Sequence, residues 1–266
     1  MKQAIISHIP QTCPWRERLH WFDTIDSTNT YAKKIAKEGA PHGTVIVAGQ
    51  QTGGRGRMGR SFSSPANMGL YLSVVLRPIC APEELMHLTC AAGLAGMRAV
   101  QTLYGISPGI KWANDLVIGT KKLGGILTEL GLNPVTGLVD YAIVGIGINC
   151  RQKNTDFPEE IRGIATSIQE ATGNPCSVEQ LTAALIQELY HMDTALISKK
   201  AEIMKDYRRN CITLGREIAV TQSDHTFRAT AVDVDDDGGL LVKQDDDSVI
   251  TVNFGEVSIR GMYGYL

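Results

Sequence analysis

The sequence has no apolar run of about 18 residues, the length that a membrane-spanning helix needs. Its N-terminus carries only a short apolar stretch, too short for the apolar region of a secretory signal peptide. These two absences predict a protein that has no membrane partner, is not secreted and is located in the cytoplasm.

Closely spaced cysteine pairs are also missing, because the six cysteines are scattered and none forms a C-x-x-C motif. Such pairs are typical of metal and redox sites, whereas disulfide-rich domains are short and secreted. We therefore expect six reduced, buried thiols and no metal site held by the protein itself. The formal net charge of −2 gives no general attraction to nucleic acid, so no DNA partner is expected.

The composition is that of an ordinary globular protein, with 43% hydrophobic and 20% charged residues. A length of 266 residues exceeds one average domain and falls short of two large ones. We therefore expect a main domain with a small additional one.

One loop, residues 49–64, stands out against this neutral background. Four glycines and three arginines fall between Gly53 and Arg60. Arginine supplies fixed charge with forked donors, and glycine lets backbone N–H groups approach a ligand. The loop is therefore predicted to bind a phosphate or a carboxylate. Because its arginines repel one another, we expect it to be mobile when empty and ordered when filled, as a lid.

Two better-known phosphate motifs share some of these letters. Gly54-x-Gly56-x-x-Gly59 matches the dinucleotide fingerprint, and Gly54-x4-Gly59-Arg60-Ser61 approaches a P-loop. Both motifs require a helix directly after the loop, and a P-loop requires lysine where Arg60 stands. Here Pro65 and then a strand-like run follow, so neither interpretation fits. A solvated basic hairpin stays open as an alternative.

Apolar periodicity and capping residues predict the main elements of secondary structure. A helix is expected after the Asp26–Asn29 capping cluster, with Ser27 or Asp26 as N-cap, and an exposed helix at 199–210. Residues 1–20 show no clear period and are interpreted as a lead-in segment, and 151–176 as polar turns. Further helices are predicted at 82–104 and 177–198, and strands at 21–23, 44–48, 68–76, 110–118, 123–130, 141–149, 216–220, 227–232, 240–242 and 249–252.

Glycines and polar residues in the predicted strands point to a ligand. Gly124 and Gly125 allow a ligand to approach the backbone closely. Gly145 and Gly147 occupy alternate positions of a strand and so leave one face of the sheet without side chains there. A helix packed on that bare face is the alternative. The predicted strand 110–118 carries Lys, Asn and Asp, which a buried strand tolerates only with partners.

Five motifs occur in order: Asp26-Ser-Thr-Asn29, Gln51-Thr-Gly-Gly-Arg-Gly-Arg57-x-Gly-Arg60, Lys111-Trp-Ala-Asn-Asp115, Lys122-Leu-Gly-Gly-Ile126 and Gly145-x-Gly-x-Asn149. Each alone is weak, but the series resembles the biotin–protein ligases over roughly residues 20–266. The chain is similar to the short form of that family, without the N-terminal DNA-binding domain, because only about 20 residues precede the first motif. Repressor activity is therefore not implied.

The resemblance implies an α+β fold, with a mixed sheet flanked by helices and related to class II aminoacyl-tRNA synthetases. Residues 1–212 would form this catalytic domain and residues 213–266 a C-terminal SH3-like β-barrel. A homodimer through a sheet edge is also implied.

The resemblance further implies a ligase reaction with two steps. Biotin and MgATP give biotinyl-5′-AMP and pyrophosphate, and a specific lysine of the biotin carboxyl carrier protein or domain of a carboxylase then attacks the adenylate. The first step joins two anions and so needs positive charge nearby. The catalytic residues implied are Arg57, Lys122, Lys111 and Asp115.

Other residues are assigned by the same resemblance. The ureido ring would be held by Ser27, Thr28, Asn29 and Gln51. Phe62 stands where the family commonly has a tryptophan that covers adenine, and Arg260 would reach the triphosphate. The full set expected to bind biotin or ATP is Ser27, Thr28, Asn29, Gln51, Gly54, Arg55, Gly56, Arg57, Arg60, Phe62, Asn114, Lys122, Gly124, Gly125, Gly145, Gly147, Asn149 and Arg260.

Other classes of protein remain as alternatives. A lipoate or octanoate transferase on the same fold would lack the Arg-Gly loop where it uses no ATP. A non-catalytic biotin sensor would not need Lys111 and Lys122 together and would release no pyrophosphate. An RNA-binding protein is disfavoured by the neutral charge.

Overall fold

A computed structural model describes residues 1–222, 225–253 and 257–261. The helices of this part, in chain order, are α1 (Lys2–His8), α2 (Thr28–Lys37), α3 (Leu88–Tyr104), α4 (Ile168–Thr172), α5 (Val178–Ala195) and α6 (Lys200–Asn210). The strands are β1 (Leu19–Phe22), β2 (Thr44–Ala48), β3 (Gly69–Leu76), β4 (Gly109–Lys111), β5 (Asp115–Ile118), β6 (Lys121–Leu132), β7 (Val139–Asn149), β8 (Glu217–Gln222), β9 (His225–Val234), β10 (Leu240–Lys243), β11 (Val249–Val252) and β12 (Val257–Gly261).

The strands form two sheets. The larger has seven strands in the order β1-β2-β3-β7-β6-β5-β4, and it is mixed because β1 runs parallel to β2 while the other pairs are antiparallel. The smaller is antiparallel, with the order β11-β10-β9-β8-β12. The predicted mixed sheet flanked by helices is therefore confirmed, together with a separate C-terminal sheet.

The two faces of the large sheet are packed differently. One face packs against α3 and α5 in the main hydrophobic core. The other packs against α2, where Ile46, Val75 and Ile143 meet Ala32 and Ala36. Strands β2 and β3 are adjacent and antiparallel, so the Arg-Gly loop connects two neighbouring strands, as predicted.

The first 20 residues are more ordered than a lead-in segment, so that prediction is wrong. Helix α1 buries Ile5, and a 3-10 turn at Pro14–Arg18 buries Trp15. Two turns of helix contain too few apolar positions for a periodic pattern to be visible. The expected exposed helix at 199–210 also differs, because α6 buries Met204 and Tyr207.

The single strand predicted at 110–118 is in fact a hairpin. Strands β4 and β5 pair with each other, with Lys111 opposite Asp115. Residues 112–114, which form the turn, are hereafter called the Trp112 turn, and its Trp112–Ala113 peptide bond is cis. The polar residues that a buried strand would not tolerate therefore lie at and beside a turn.

Candidate active site

A cavity of about 590 Å³ lies between the Arg-Gly loop, the α2 side of the large sheet and residues 157–165. Its size is in the range of small-molecule sites. It is lined by Ser27, Thr28, Asn29, Gln51, Arg55, Gly56, Arg57, Met58, Arg60, Ser61, Phe62, Ser63, Tyr71, Leu72, Lys111, Trp112, Asn114, Asp115, Lys122, Gly125, Ile126, Leu127, Gly145, Ile146, Gly147, Asn149, Phe157, Ile161, Ile164 and Ala165. Residues from all five sequence motifs thus meet at one cavity.

The glycines of β7 make room for two side chains. A Cβ atom at Gly145 would lie 1.9 Å from Oδ1 of Asn29, and one at Gly147 would lie 2.6 Å from the ring of Phe62. The bare face is therefore covered by an amide from the start of α2 and by an aromatic ring from the Arg-Gly loop. Both side chains line the cavity.

One end of the cavity is neutral and hydrogen-bonded, and we call it the neutral half. The backbone N–H and the hydroxyl of Thr28 donate to Oε1 of Gln51 at 2.8 and 3.0 Å, and Nε2 of Gln51 donates to the Ser64 hydroxyl at 2.9 Å. The fully buried Ser73 hydroxyl lies 2.8 Å from Oγ1 of Thr28 and 2.6 Å from Oδ1 of Asn29. These groups hold donors and acceptors in fixed positions.

The start of α2 supplies several of these groups. Ser27 is the N-cap and its hydroxyl accepts from the backbone N–H of Thr30, which confirms one of the two predicted caps. An N-cap side chain satisfies one free N–H of the first helical turn. The cap therefore fixes the backbone from which Thr28 and Asn29 reach the cavity.

The other end of the cavity is cationic, and we call it the cationic half. Lys122 forms an ion pair with Asp115 at 2.6 Å, and Arg57 donates to Oδ1 of Asn114 at 3.1 Å. Lys111 lies at the same wall and is 8% exposed. Burial lowers the pKa of the Arg57 guanidinium from its ordinary value, and the Asp115 carboxylate opposes that shift. A bound anion would compensate for the lost hydration of these cations.

Arg55, at the front of the loop, is anchored to strand β6. Its guanidinium lies 3.3 Å from the carboxylate of Glu129, whose side chain also pairs with Lys33 and accepts from the amide of Asn29. Glu129 is therefore a shared acceptor for the loop and for α2. This contact holds the loop against the sheet in the structure.

Two predicted site residues, Gly54 and Gly124, are not among the residues that line the cavity. A Cβ atom at Gly54 would lie 2.3 Å from the carbonyl oxygen of Phe62, and one at Gly124 would lie 2.4 Å from that of Gly147. Both glycines therefore permit close backbone approach behind the cavity. For Arg260 only the backbone, in β12, is described, and its side chain lies outside the described part of the structure.

Residues 157–165 were not predicted to contribute to the site. The backbone N–H of Lys122 donates to the carbonyl of Ile164 at 2.7 Å, which brings this segment onto β6. It adds apolar walls from Phe157, Ile161 and Ala165. Four apolar residues among polar neighbours give no periodic pattern, so the only signal was their proximity in sequence to β7. Ser73 was missed because one serine in an apolar strand is not distinctive.

Among the residues that the structure describes, no group of three or more His, Cys, Asp or Glu side chains is arranged to hold a metal ion. In the same part of the chain, no helix combines the length and the apolar character needed to cross a membrane.

Comparisons with known proteins agree with this geometry. The profile of the Biotin/lipoate A/B protein ligase family matches residues 21–149, and that of the Biotin protein ligase C terminal domain matches residues 213–260. The bifunctional ligase/repressor BirA of Bacillus subtilis is 34% identical over 239 residues, which cover 85% of this chain and 70% of that protein.

Two further relatives are similar over most of their own length. The biotin–[acetyl-CoA-carboxylase] ligase of Mycobacterium tuberculosis is 30% identical over 237 residues, covering 87% of this chain and 85% of that protein. The solved biotin protein ligase from Aquifex aeolicus in complex with biotin and ATP superposes with a TM-score of 0.78 at 29% identity, covering 92% of this chain and 99% of that one. With the five motifs gathered at one cavity, these matches show that the chain belongs to the biotin protein ligase family.

Proposed function

We propose that this protein is an ATP-dependent ligase that activates biotin as biotinyl-5′-AMP and transfers it to a lysine of a biotin carboxyl carrier protein. The observation that carries the proposal is that a neutral, hydrogen-bonding half and a cationic half share one cavity. Biotin has the same two ends, a neutral ureido ring and a carboxylate. The relatives point the same way, since they include biotin–[acetyl-CoA-carboxylase] ligases and a structure that binds biotin and ATP.

The ureido ring is proposed to occupy the neutral half. A cyclic urea offers one carbonyl acceptor and two N–H donors. Thr28, Asn29 and Gln51 line the cavity with hydroxyl and amide groups of both kinds, and the fully buried Ser73 hydroxyl holds Thr28 and Asn29 from behind. The ring would exchange with some of these internal hydrogen bonds, and Ser27 would support them from the cap. The carboxylate would then point toward the cationic half.

The first chemical step joins the biotin carboxylate to the α-phosphate of ATP. A carboxylate oxygen forms a bond to phosphorus while the bond from phosphorus to the pyrophosphate oxygen breaks. Both reactants are anionic, so Arg57, Lys111 and Lys122 would neutralise charge as it builds up on the phosphoryl oxygens. Each charge-assisted hydrogen bond contributes roughly 1.5–3 kcal/mol.

The second step transfers the biotinyl group to a lysine amine. The amine nitrogen bonds to the carbonyl carbon of the mixed anhydride, AMP leaves, and the amine loses a proton. Asp115 is the carboxylate of the cationic half and lies 2.6 Å from Lys122. We propose that it orients the incoming amine beside the anhydride.

Magnesium is proposed to enter with ATP as part of the substrate. Mg²⁺ is commonly held by one or two carboxylates together with substrate phosphates. The cationic half offers Asp115, which fits that mode, and the described residues provide no larger cluster of acidic ligands. The ion would offset negative charge on the phosphates.

Membership of the family supports several finer proposals. We propose that the catalytic domain ends near residue 212, that its mixed sheet is of the class II aminoacyl-tRNA synthetase type, and that the C-terminal sheet belongs to an SH3-like barrel. We also propose a homodimer, a cytoplasmic location and a contact of Arg260 with the triphosphate.

The test is biotin-dependent exchange of labelled pyrophosphate into ATP, on the wild type, Arg57→Ala and Lys122→Ala. Lys121→Ala is the matched control, because Lys121 precedes Lys122 on β6 but does not line the cavity. We expect exchange with biotin and none with lipoate, a strong loss in Lys122→Ala and Arg57→Ala, and normal exchange in the control. Biotin binding without any exchange would identify a sensor instead, and exchange with lipoate would identify a lipoate-specific enzyme.

A further inference from the structure

The indole of Trp112 connects the cavity to the C-terminal sheet. Trp112 lines the cavity from the turn between β4 and β5 and is 3% exposed. Its Nε1–H donates to the carbonyl of Gly238 at 2.8 Å. Gly238 belongs to the turn between β9 and β10, residues 235–239, which we call the β9–β10 turn. A group of the second sheet therefore fixes a side chain in the wall of the cavity.

The β9–β10 turn is itself well defined. Oδ1 of Asp235 accepts from the backbone N–H groups of Asp237 at 2.9 Å and Gly239 at 2.7 Å. Gly238 has a φ of +88°, which favours glycine. The direction of the Gly238 carbonyl is thus set by the turn and not by Trp112 alone.

Helix α6 holds this turn from the side. Lys200 pairs with Asp237, and Arg208 pairs with Asp236 at 2.6 Å while its Nε donates to the carbonyl of Val234. The Tyr207 hydroxyl of the same helix donates to the carbonyl of Ala113, in the Trp112 turn, at 3.4 Å. Helix α6 therefore contacts both turns and fixes their positions relative to each other.

The Trp112 turn leads directly to groups of the cationic half. Asn114 accepts from Arg57 at 3.1 Å, and its own amide donates to the carbonyl of Ile126. The next residue, Asp115, pairs with Lys122. A displacement of the Trp112 turn would therefore move Asn114 and Asp115, the partners of Arg57 and Lys122. The hydrogen bonds of the neutral half instead run between α2, the Arg-Gly loop, β3 and β6.

We propose that Trp112 is a positioning residue through which the C-terminal sheet aligns the cationic half with ATP. The Gly238 carbonyl, held by Lys200 and Arg208, fixes the indole and with it the Trp112 turn. The consequence is selective, because nucleotide binding depends on this contact whereas binding of the biotin ring does not. This inference rests on the proposed function.

The first measurement is the KM for ATP and the KM for biotin in pyrophosphate exchange for Trp112→Phe. This change removes the indole N–H and keeps a buried aromatic ring. Leaving a buried carbonyl without its hydrogen bond corresponds to a factor of about 5 to 150 in an equilibrium constant. We expect the KM for ATP to rise about tenfold and the KM for biotin to stay within about twofold.

Two further variants complete the comparison. Trp21→Phe is the matched control, because the indole N–H of Trp21 also donates a hydrogen bond, to Asp23 at 2.9 Å, and does not line the cavity. Arg208→Gln loosens the β9–β10 turn without touching the cavity and should raise the KM for ATP in the same direction. Equal rises for ATP and biotin, or a rise matched by Trp21→Phe, would overturn the proposal.

Hydrogen exchange of the indole N–H gives a readout that is independent of activity. The Trp112 signal is identified in nitrogen-15 NMR spectra by its absence from Trp112→Phe. Its exchange should be slow in the wild type and at least about tenfold faster in Arg208→Gln, because the acceptor is no longer held. Unchanged exchange would refute the coupling. If the wild type shows no biotin-dependent pyrophosphate exchange, the proposed function fails, and this experiment still decides whether the two turns are coupled. If Trp112→Phe does not fold, Arg208→Gln and Asp237→Asn decide by the same criteria.

Discussion

Replacing Gly145 by alanine should damage the neutral half of the site through one identifiable clash. The added Cβ would lie 1.9, 2.7 and 3.0 Å from Oδ1, Cγ and Nδ2 of Asn29. Rotation of the amide about the Cβ–Cγ bond of Asn29 does not relieve the overlap, because Cγ lies on that axis and stays in place. The Asn29 side chain must leave its place.

The cost follows from the hydrogen bonds that Asn29 makes there. Its Nδ2 donates to the carbonyl of Leu127 and to Glu129, each at 3.2 Å, and its Oδ1 accepts from Ser73 at 2.6 Å. At a net ~0.5–1.5 kcal/mol each, the three bonds amount to roughly 1.5–4.5 kcal/mol. We expect a fall in Tm of about 5 to 10 °C. Each ~1.4 kcal/mol lost from the ligand-binding arrangement also weakens biotin binding about tenfold.

Chemical denaturation and calorimetric titration with biotin are the assays, and a double-mutant cycle with Asn29→Ala identifies the cause. With Asn29 truncated, the alanine at position 145 has room and should cost less than about 0.5 kcal/mol further. Gly163→Ala is the control, because no atom lies within 4 Å of its added Cβ. Wild-type biotin affinity in Gly145→Ala, or strict additivity in the cycle, would refute the reasoning.

Three other outcomes are expected. Gly93→Ala should raise Tm by about 2–4 °C, because alanine is the better helix former and the added Cβ in α3 makes only ordinary contacts. Gly96→Ala should raise Tm less, because its added Cβ would lie 3.0 Å from the Leu116 side chain. Equal gains in Tm would contradict this reasoning. A thiol reagent should label none of the six buried cysteines quickly in the native protein and all six in denaturant, and a fast native thiol would exclude the described burial. The pKa of Glu179 lies below its ordinary value of 4.5, because its carboxylate accepts from its own backbone N–H and from Ser177 and lies near Arg151. The contribution of Glu179 to stability is therefore present at neutral pH and lost in acid. The Tm of Glu179→Gln should fall less than that of the wild type on acidification, and an equal fall would contradict the pairing.

The parts of the fold that the sequence predicts are those with a local cause. Largely apolar runs predict β2 and β3, and a capping serine predicts the start of α2. The prediction that the Arg-Gly loop joins two strands of one sheet follows from these runs alone. The five motifs also indicate which side chains gather at the cavity, since each lies at or beside the end of a strand or helix.

The rest depends on contacts between distant parts of the chain. The hairpin of β4 and β5 has neither glycine nor proline at its turn, and what stabilises the Trp112 turn comes from Thr213, Gly238 and Tyr207, about 100 residues or more further on. Residues 157–165 reach the cavity through a backbone contact with β6, which no side-chain pattern records. Tertiary contacts of this kind override local preference.

The two halves of the cavity imply different energetics for the two substrates. In the neutral half the polar groups hydrogen-bond to one another, as with Thr28 and Gln51, so a ligand gains only the difference between old and new hydrogen bonds. In the cationic half the like charges of Arg57, Lys111 and Lys122 line one cavity, so a polyanion offsets their mutual repulsion as well as adding contacts. Affinity for ATP should therefore fall with added salt, whereas affinity for the biotin ring should change little. It follows that order in the Arg-Gly loop depends mainly on the anionic part of the ligand, and that biotin alone leaves part of this repulsion in place.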